Sequence, residues 1–204
     1  MIGSEIVTML ETLIDDTMDS ILAYQLMNNA KDKVEGRRDW EILKKLDNSQ
    51  SASSGPLTLP TDYVRTLSLS VGNVPHSQIP FEQKNIFANS ALRWYLDYRN
   101  NSLYLLGNPS GVVNHFYIYQ TPEITSSTSP VWPAKFHKLL AFEMAKLFSA
   151  VDQGERGFSW DDRWSIEQQL LENAMTDWDV ALQKRATENA APFDYEAEYP
   201  LSMM

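Results

Sequence analysis

Arg93-Trp94-Tyr95-Leu96-Asp97-Tyr98-Arg99-Asn100-Asn101-Ser102-Leu103-Tyr104-Leu105-Leu106-Gly107 is the stretch that decides how this chain folds. Aromatic and branched residues flank Asn100-Asn101, and asparagine tolerates the positive φ of a tight hairpin turn. A further strand is expected over 114–120, within His115-Phe116-Tyr117-Ile118-Tyr119-Gln120-Thr121-Pro122. Upstream, Tyr63 to Ser70 reads as a strand that brings Leu67, Leu69 and Val71 to one face with a period of two. These pieces form a small antiparallel set, a β insertion over about residues 57–122.

The flanks read differently. Ile6, Met9, Leu10 and Leu13 share one face of a helix. A second helix is expected from Met18 to Glu35, with Ile21, Leu22, Tyr24, Leu26 and Met27 as its apolar surface and Gly36 at its end. Trp40, Leu43 and Leu46 fit one side of a short third helix. Asn48 to Pro56 and Pro122 to Pro130 read as loops. Trp132-Pro133 opens a long helix, proline being tolerated in a first turn. Its apolar face of Phe136, Leu139, Leu140, Met144, Leu147, Phe148 and Val151 marks it as the core helix. Gly154 and Gly157 break the chain, Ser159 and Asp162 resemble a capping box, and a last helix runs to about Ala186. The fold class expected is α+β, mainly α. It is a bundle of about four to five helices, with a helical body at 1–47 and 131–188 and a small antiparallel insertion. Residues 189–204 form an extended C-terminal tail.

The 204 residues carry a net charge of −10 and 43% hydrophobic residues. That composition suits a folded chain and argues against a nucleic-acid grip, which needs Lys and Arg on the contact face. There is no cysteine, so disulfides, thiolate metal sites and thiol nucleophiles are excluded. No apolar run approaches the ~18 residues of a membrane span. Glu5 and Glu11 near the start, with no basic region, do not read as a secretory signal. The expectation is a soluble protein made in a cytoplasm.

Four groups of residues invite a functional reading. Asp15, Asp16 and Asp19 match D-D-x-x-D, and carboxylates at that spacing on one helix face can hold magnesium. The stronger reading makes them charges at the positive end of the second helix. Arg37, Arg38, Lys44 and Lys45 are the densest basic stretch, interleaved with Asp39 and Glu41. They read as a solvated face or as contacts to an acidic neighbouring subunit. The aromatics of the insertion could stack sugars or bases, but cross-strand packing accounts for them better. His76, His115 and His137 stand in no ligand spacing. Last, Phe193, Tyr195, Tyr199 and Leu201 sit in a proline-containing acidic tail without a base. Burying each contributes about 1.5–3 kcal/mol, which suits docking into a partner's groove.

Taken in order, Trp40-Glu41-Ile42-Leu43-Lys44-Lys45, Leu59-Pro60-Thr61-Asp62-Tyr63-Val64-Arg65, Leu103-Tyr104-Leu105, Tyr117 to Pro122, and Trp132-Pro133 with Phe136 to Ala141 resemble the head–tail connector adaptors of tailed bacteriophages. The series covers roughly residues 5–186. The resemblance implies a helical bundle with a β insertion and a dodecameric ring beneath the portal protein. It implies a C-terminal segment that clasps the portal, here with Phe193, Tyr195, Tyr199 and Leu201 as anchors. It also implies a tail or nozzle protein bound below, and DNA passing through the lumen without specific binding. Such a chain is a structural virion protein at the head–tail interface, assembled in the host cytoplasm, with no enzymatic activity, cofactor or membrane contact. The alternatives are a tail-completion or tail-terminator protein, and a magnesium-dependent enzyme using Asp15, Asp16 and Asp19.

Overall fold

The computed structural model describes residues 1–52, 55–152 and 162–189. Helix α1 (Gly3–Ile14) starts where the Glu5 carboxylate accepts the Ile2 N–H at 2.9 Å, and ends at Asp15 in the left-handed region (φ 52°). Helix α2 (Ser20–Glu35) is capped by Asp19, whose carboxylate accepts the Ile21 and Leu22 N–H groups, and it ends at Gly36. Those amides have no partner inside the helix, so an N-cap carboxylate satisfies them. A single 3-10 turn at Glu41–Leu43 leads into β1 (Lys44–Asp47).

The middle of the chain is a seven-stranded sheet in the order β1-β7-β3-β4-β5-β6-β2. It uses β2 (Leu57–Thr58), β3 (Tyr63–Val71), β4 (Val74–Gln78), β5 (Arg93–Asp97), β6 (Ser102–Leu105) and β7 (Val113–Tyr119). Neighbours are antiparallel except β4 and β5, which run parallel and are joined by the long connection 79–92. Two register shifts in β3 bend its pairing with β7. The sheet curls into a half-barrel.

This corrects the expected architecture. The fold is 42% helix and 22% strand, and among the described residues it has four helices and a sheet that rivals them; it is not a mainly helical bundle with a small antiparallel insertion. The third helix expected at Trp40–Leu46 is absent. Trp40 and Leu43 are buried by the 3-10 turn, but Leu46 is 48% exposed on a strand, directly opposite Phe116. The spacing of three that suggested a helix belongs to two different elements.

Helices α3 (Lys138–Asp152) and α4 (Asp162–Asn189) complete the fold. α3 is the core helix: Leu139, Leu140, Phe142 and Met144 are fully buried, each contributing about 1.5–3 kcal/mol. Ile6 and Leu10 of α1, Met27 and Val34 of α2, and Met175 of α4 close around it. A second core fills the sheet, formed by Leu57, Leu59, Leu69, Val71, Trp94, Leu96, Leu103 and Val113. Ile118 at the end of β7 belongs to the helical core, so β7 is where the two lobes join. Ser159, the Gly154 and Gly157 break, and the tail anchors Phe193, Tyr195, Tyr199 and Leu201 lie outside the described residues.

Candidate functional site

The strongest polar constellation lies where α2, α3 and α4 meet. Glu143 of α3 is completely buried, yet Lys33 reaches it at 2.8 Å and Arg37 and the Gln168 amide also contact it. Arg37 turns its other nitrogen to Glu172 at 2.6 Å. Burial alone would raise the Glu143 carboxyl, but the Lys33 and Arg37 cations outweigh it and hold the group below its ordinary value. Two turns further along α4, the buried Asp179 pairs with Arg38 and also accepts the Glu41 N–H at 2.6 Å. A buried charge persists only when paired and hydrogen-bonded, so this network clamps α4 to the body.

The basic stretch is thus divided among internal acids. Arg37 and Arg38 serve the clamp. Lys44 pairs with Glu41 at 2.5 Å, and Lys45 with Asp62 at 2.5 Å. All four side chains remain partly exposed. Position along the chain did not foretell this, because the acids on α3 and α4 lie more than a hundred residues away.

A second polar cluster joins the strands. Asp62 accepts the Tyr117 hydroxyl at 3.0 Å as well as Lys45. Burial pulls its carboxyl up, but the Lys45 and Tyr117 hydrogen bonds outweigh that and hold it low. Burial together with the Asp62 carboxylate pushes the Tyr117 hydroxyl up to about 12, so it remains a donor. Beside it, His115 Nε2 and the Thr66 hydroxyl lie 2.8 Å apart, and burial lowers the His115 imidazole against the opposing charge of Asp47.

The three aspartates do not converge. Asp15 ends α1, Asp16 meets the Thr17 N–H at 2.7 Å and Asp19 caps α2. They straddle a corner between helices rather than sharing a helix face, and no group of three metal donors occurs among the described residues. The histidines are interior: His76 Nδ1 lies 2.9 Å from the Val74 carbonyl, and the His137 ring nitrogens face the Met1 and Trp132 carbonyls.

The aromatics of the insertion largely pack on each other across strands, with Tyr95 and Tyr104 stacked at 5.0 Å. Two surfaces went unread in the sequence. One is a groove of about 770 Å³ between α2 and residues 123–126. The other is the far end of the sheet, where Phe81, Ile86, Leu92 and Tyr98 are exposed. A signal for the groove existed: Ile21, Leu22, Tyr24, Leu26 and Met27 span too wide an arc to share one buried helix face, and Ile21 is 69% exposed. No protein-family model matches the chain, and a search of curated proteins returns no match.

Proposed function

We propose that this chain is a structural adaptor of a tailed-phage connector, docking as a ring beneath the portal, extending the DNA channel and presenting a platform for the tail. The observation that carries the reading is that separated pieces of the resemblance meet at one place. Lys45 from the first piece and Tyr117 from the fourth both bond Asp62 of the second. The Gln120 N–H donates to the Asp62 carbonyl at 2.7 Å. The last piece joins them through α2: the Trp132 indole donates to Glu35, and so does the Thr121 hydroxyl. Four of the five pieces thus share one network, and the third, Leu103 to Leu105, lies apart on β6 in the sheet's own core.

The portal anchor assigned to Phe193, Tyr195, Tyr199 and Leu201 belongs to this proposal. A chain of net charge −10 repels its own copies within a screening length of ~8–10 Å. The free protein is therefore a monomer, and the portal assembles the ring by offering many contacts at once. The experiment is portal binding by the full chain and by a variant lacking residues 189–204. Both fold, and only the full chain binds. Equal binding by the two overturns the anchor, and a stable dodecamer of free protein at low salt and micromolar concentration overturns template-driven assembly. Binding to a tail protein in place of the portal moves the chain to the tail-completion role.

A further inference from the structure

The sheet is left open at β1, which stands at one end of the strand order; among the described residues it pairs with β7 alone. In an antiparallel pair, residues alternate between bonding their opposite number and turning N–H and C=O away from it. The odd positions of β7 turn toward β1 and its continuation: the Val113 N–H donates to the Gln50 carbonyl at 2.9 Å. The even positions serve the other side, where the Val112 carbonyl accepts from Gly72 and the Gln120 N–H donates to Asp62. Lys45 and Asp47, opposite Tyr117 and His115, therefore bond β7, and Lys44 and Leu46 face outward. The Glu41 carbonyl takes the Lys44 N–H. Leu46 is left presenting its N–H and C=O at the open edge.

The same residue ends an apolar row. Leu46 lies opposite Phe116, which lies opposite Ser68 at the bulge that carries Leu67. Leu46, Phe116 and Leu67 are all exposed. An open edge with apolar side chains joins other chains unless something covers it.

The chain contains a segment with the pattern of a covering strand. Phe193, Tyr195, Ala197 and Tyr199 alternate with Asp194, Glu196 and Glu198, and strict alternation marks a strand with one face buried. The segment also starts within reach. Asp179 accepts the Glu41 N–H just before β1, and α4 ends at Asn189, about 15 Å further on. Leu46 lies within about 17 Å of Glu41 along extended chain. Even if those two paths diverge fully, the ~32 Å from Asn189 to Leu46 is spanned by extended chain on reaching Tyr199, at ~3.3 Å per residue.

We propose that residues 193–199 of the free protein pair with β1 of the same chain as an added strand. The tail bonds the outward N–H and C=O of Leu46, and its aromatic face extends the row of Leu67, Phe116 and Leu46. Asp194, Glu196 and Glu198 fall on the opposite face, beside Asp47 and beside Lys45, which Asp62 already holds. No charge attraction adds to the main-chain bonds, so the strand is held weakly and is surrendered to the portal. Until then it covers the edge that would join copies, which keeps the free protein monomeric. The pairing stands without the portal; the exchange alone rests on the connector reading.

Amide exchange followed by NMR tests the pairing at the Leu46 N–H, with the Lys45 N–H, bonded to β7, as control. Both are protected in the full chain. In a chain lacking residues 189–204, and in the full-length Tyr195→Ser/Tyr199→Ser variant, Leu46 exchanges about tenfold faster and Lys45 is unchanged. Equal Leu46 exchange in all three chains overturns the pairing. So does a loss at Lys45 that matches the loss at Leu46, since β1 then frays as a whole, and so does protection that rises with protein concentration, since the strand then comes from a second copy. Leu46→Ser frees the tail without altering it, so portal binding tightens at least about twofold; unchanged binding overturns the exchange. Tail-dependent protection of Leu46 in a chain that ignores the portal upholds the pairing and removes the connector reading. Portal binding by a chain whose Leu46 amide is unprotected overturns the pairing alone.

Discussion

The Lys33 ammonium stands 2.8 Å from a carboxylate, Glu143, that no solvent reaches. Arg37 completes the site and passes the connection on to Glu172 of α4. Removing both cations strands the buried Glu143 charge, at a cost of about 3–5 kcal/mol. The Lys33→Ala/Arg37→Ala double variant is expected to lose that much in urea unfolding, with amide exchange accelerated first in α4. A loss below about 1 kcal/mol would place the clamp among surface pairs of little energetic weight.

Glu35 behaves in the opposite sense. Its burial raises the carboxyl above its ordinary value, against the opposing hydrogen bonds from Thr121 and Trp132. A carboxyl raised in the folded state is easier to ionise once unfolded, so the group costs stability as pH rises through its unfolded value. Glu35→Gln keeps an acceptor for those donors. Its stability relative to the parent chain is expected to improve from pH 4 to pH 8, and a difference that stays flat over that range contradicts the assignment.

Histidines 115 and 137 set the acid limit. Burial lowers both, more than the Asp47 charge raises His115 or the Trp132 and Met1 carbonyls raise His137. The unfolded chain therefore takes up protons first, near pH ~6.5. Stability is full above that value and declines as pH falls below it. The urea midpoint is expected to drop between pH 7.5 and 5.5, and to drop less in His115→Asn. An equal drop in the variant would assign the acid sensitivity to other groups.

Gly107 pins the loop after β6. Its φ is +77°, and a Cβ placed on it would stand 2.7 Å from the Ala91 Cα. Both the backbone conformation and the close approach require glycine. Gly107→Ala is predicted to cost about 1–3 kcal/mol, read as a lowered midpoint, while Gly72→Ala, whose Cβ would meet only the Ser110 carbonyl oxygen at an ordinary 4.0 Å, incurs the backbone strain alone. Equal losses in the two would remove the contact with Ala91 from the account.

Much of this was legible residue by residue. The Asp19 charge at the start of α2, the α3 stripe through Leu139, Leu140 and Met144, and the Asn100-Asn101 hairpin, with Asn101 at φ 48°, follow from local chemistry, though Asp19 proved to be the cap rather than a residue of the helix. The size of the sheet did not. β4 presents only His76 inward, too few inward residues for alternation to register. β1 hid behind a spacing of three shared with the turn before it. The bulges in β3 expose Leu67 while burying Leu69 and Val71, so its alternation holds only toward the strand's end. The clamp joins residues far apart in the chain, and the polar inner face of α4, Gln168 and Asp179, has no local signature at all.

The central claim is portal docking, and cryo-electron microscopy of the full chain mixed with the portal protein of the same virion tests it most directly. The account predicts a closed ring beneath the portal, with residues 189–204 ordered against it. A chain that stays monomeric and leaves the portal bare would contradict it.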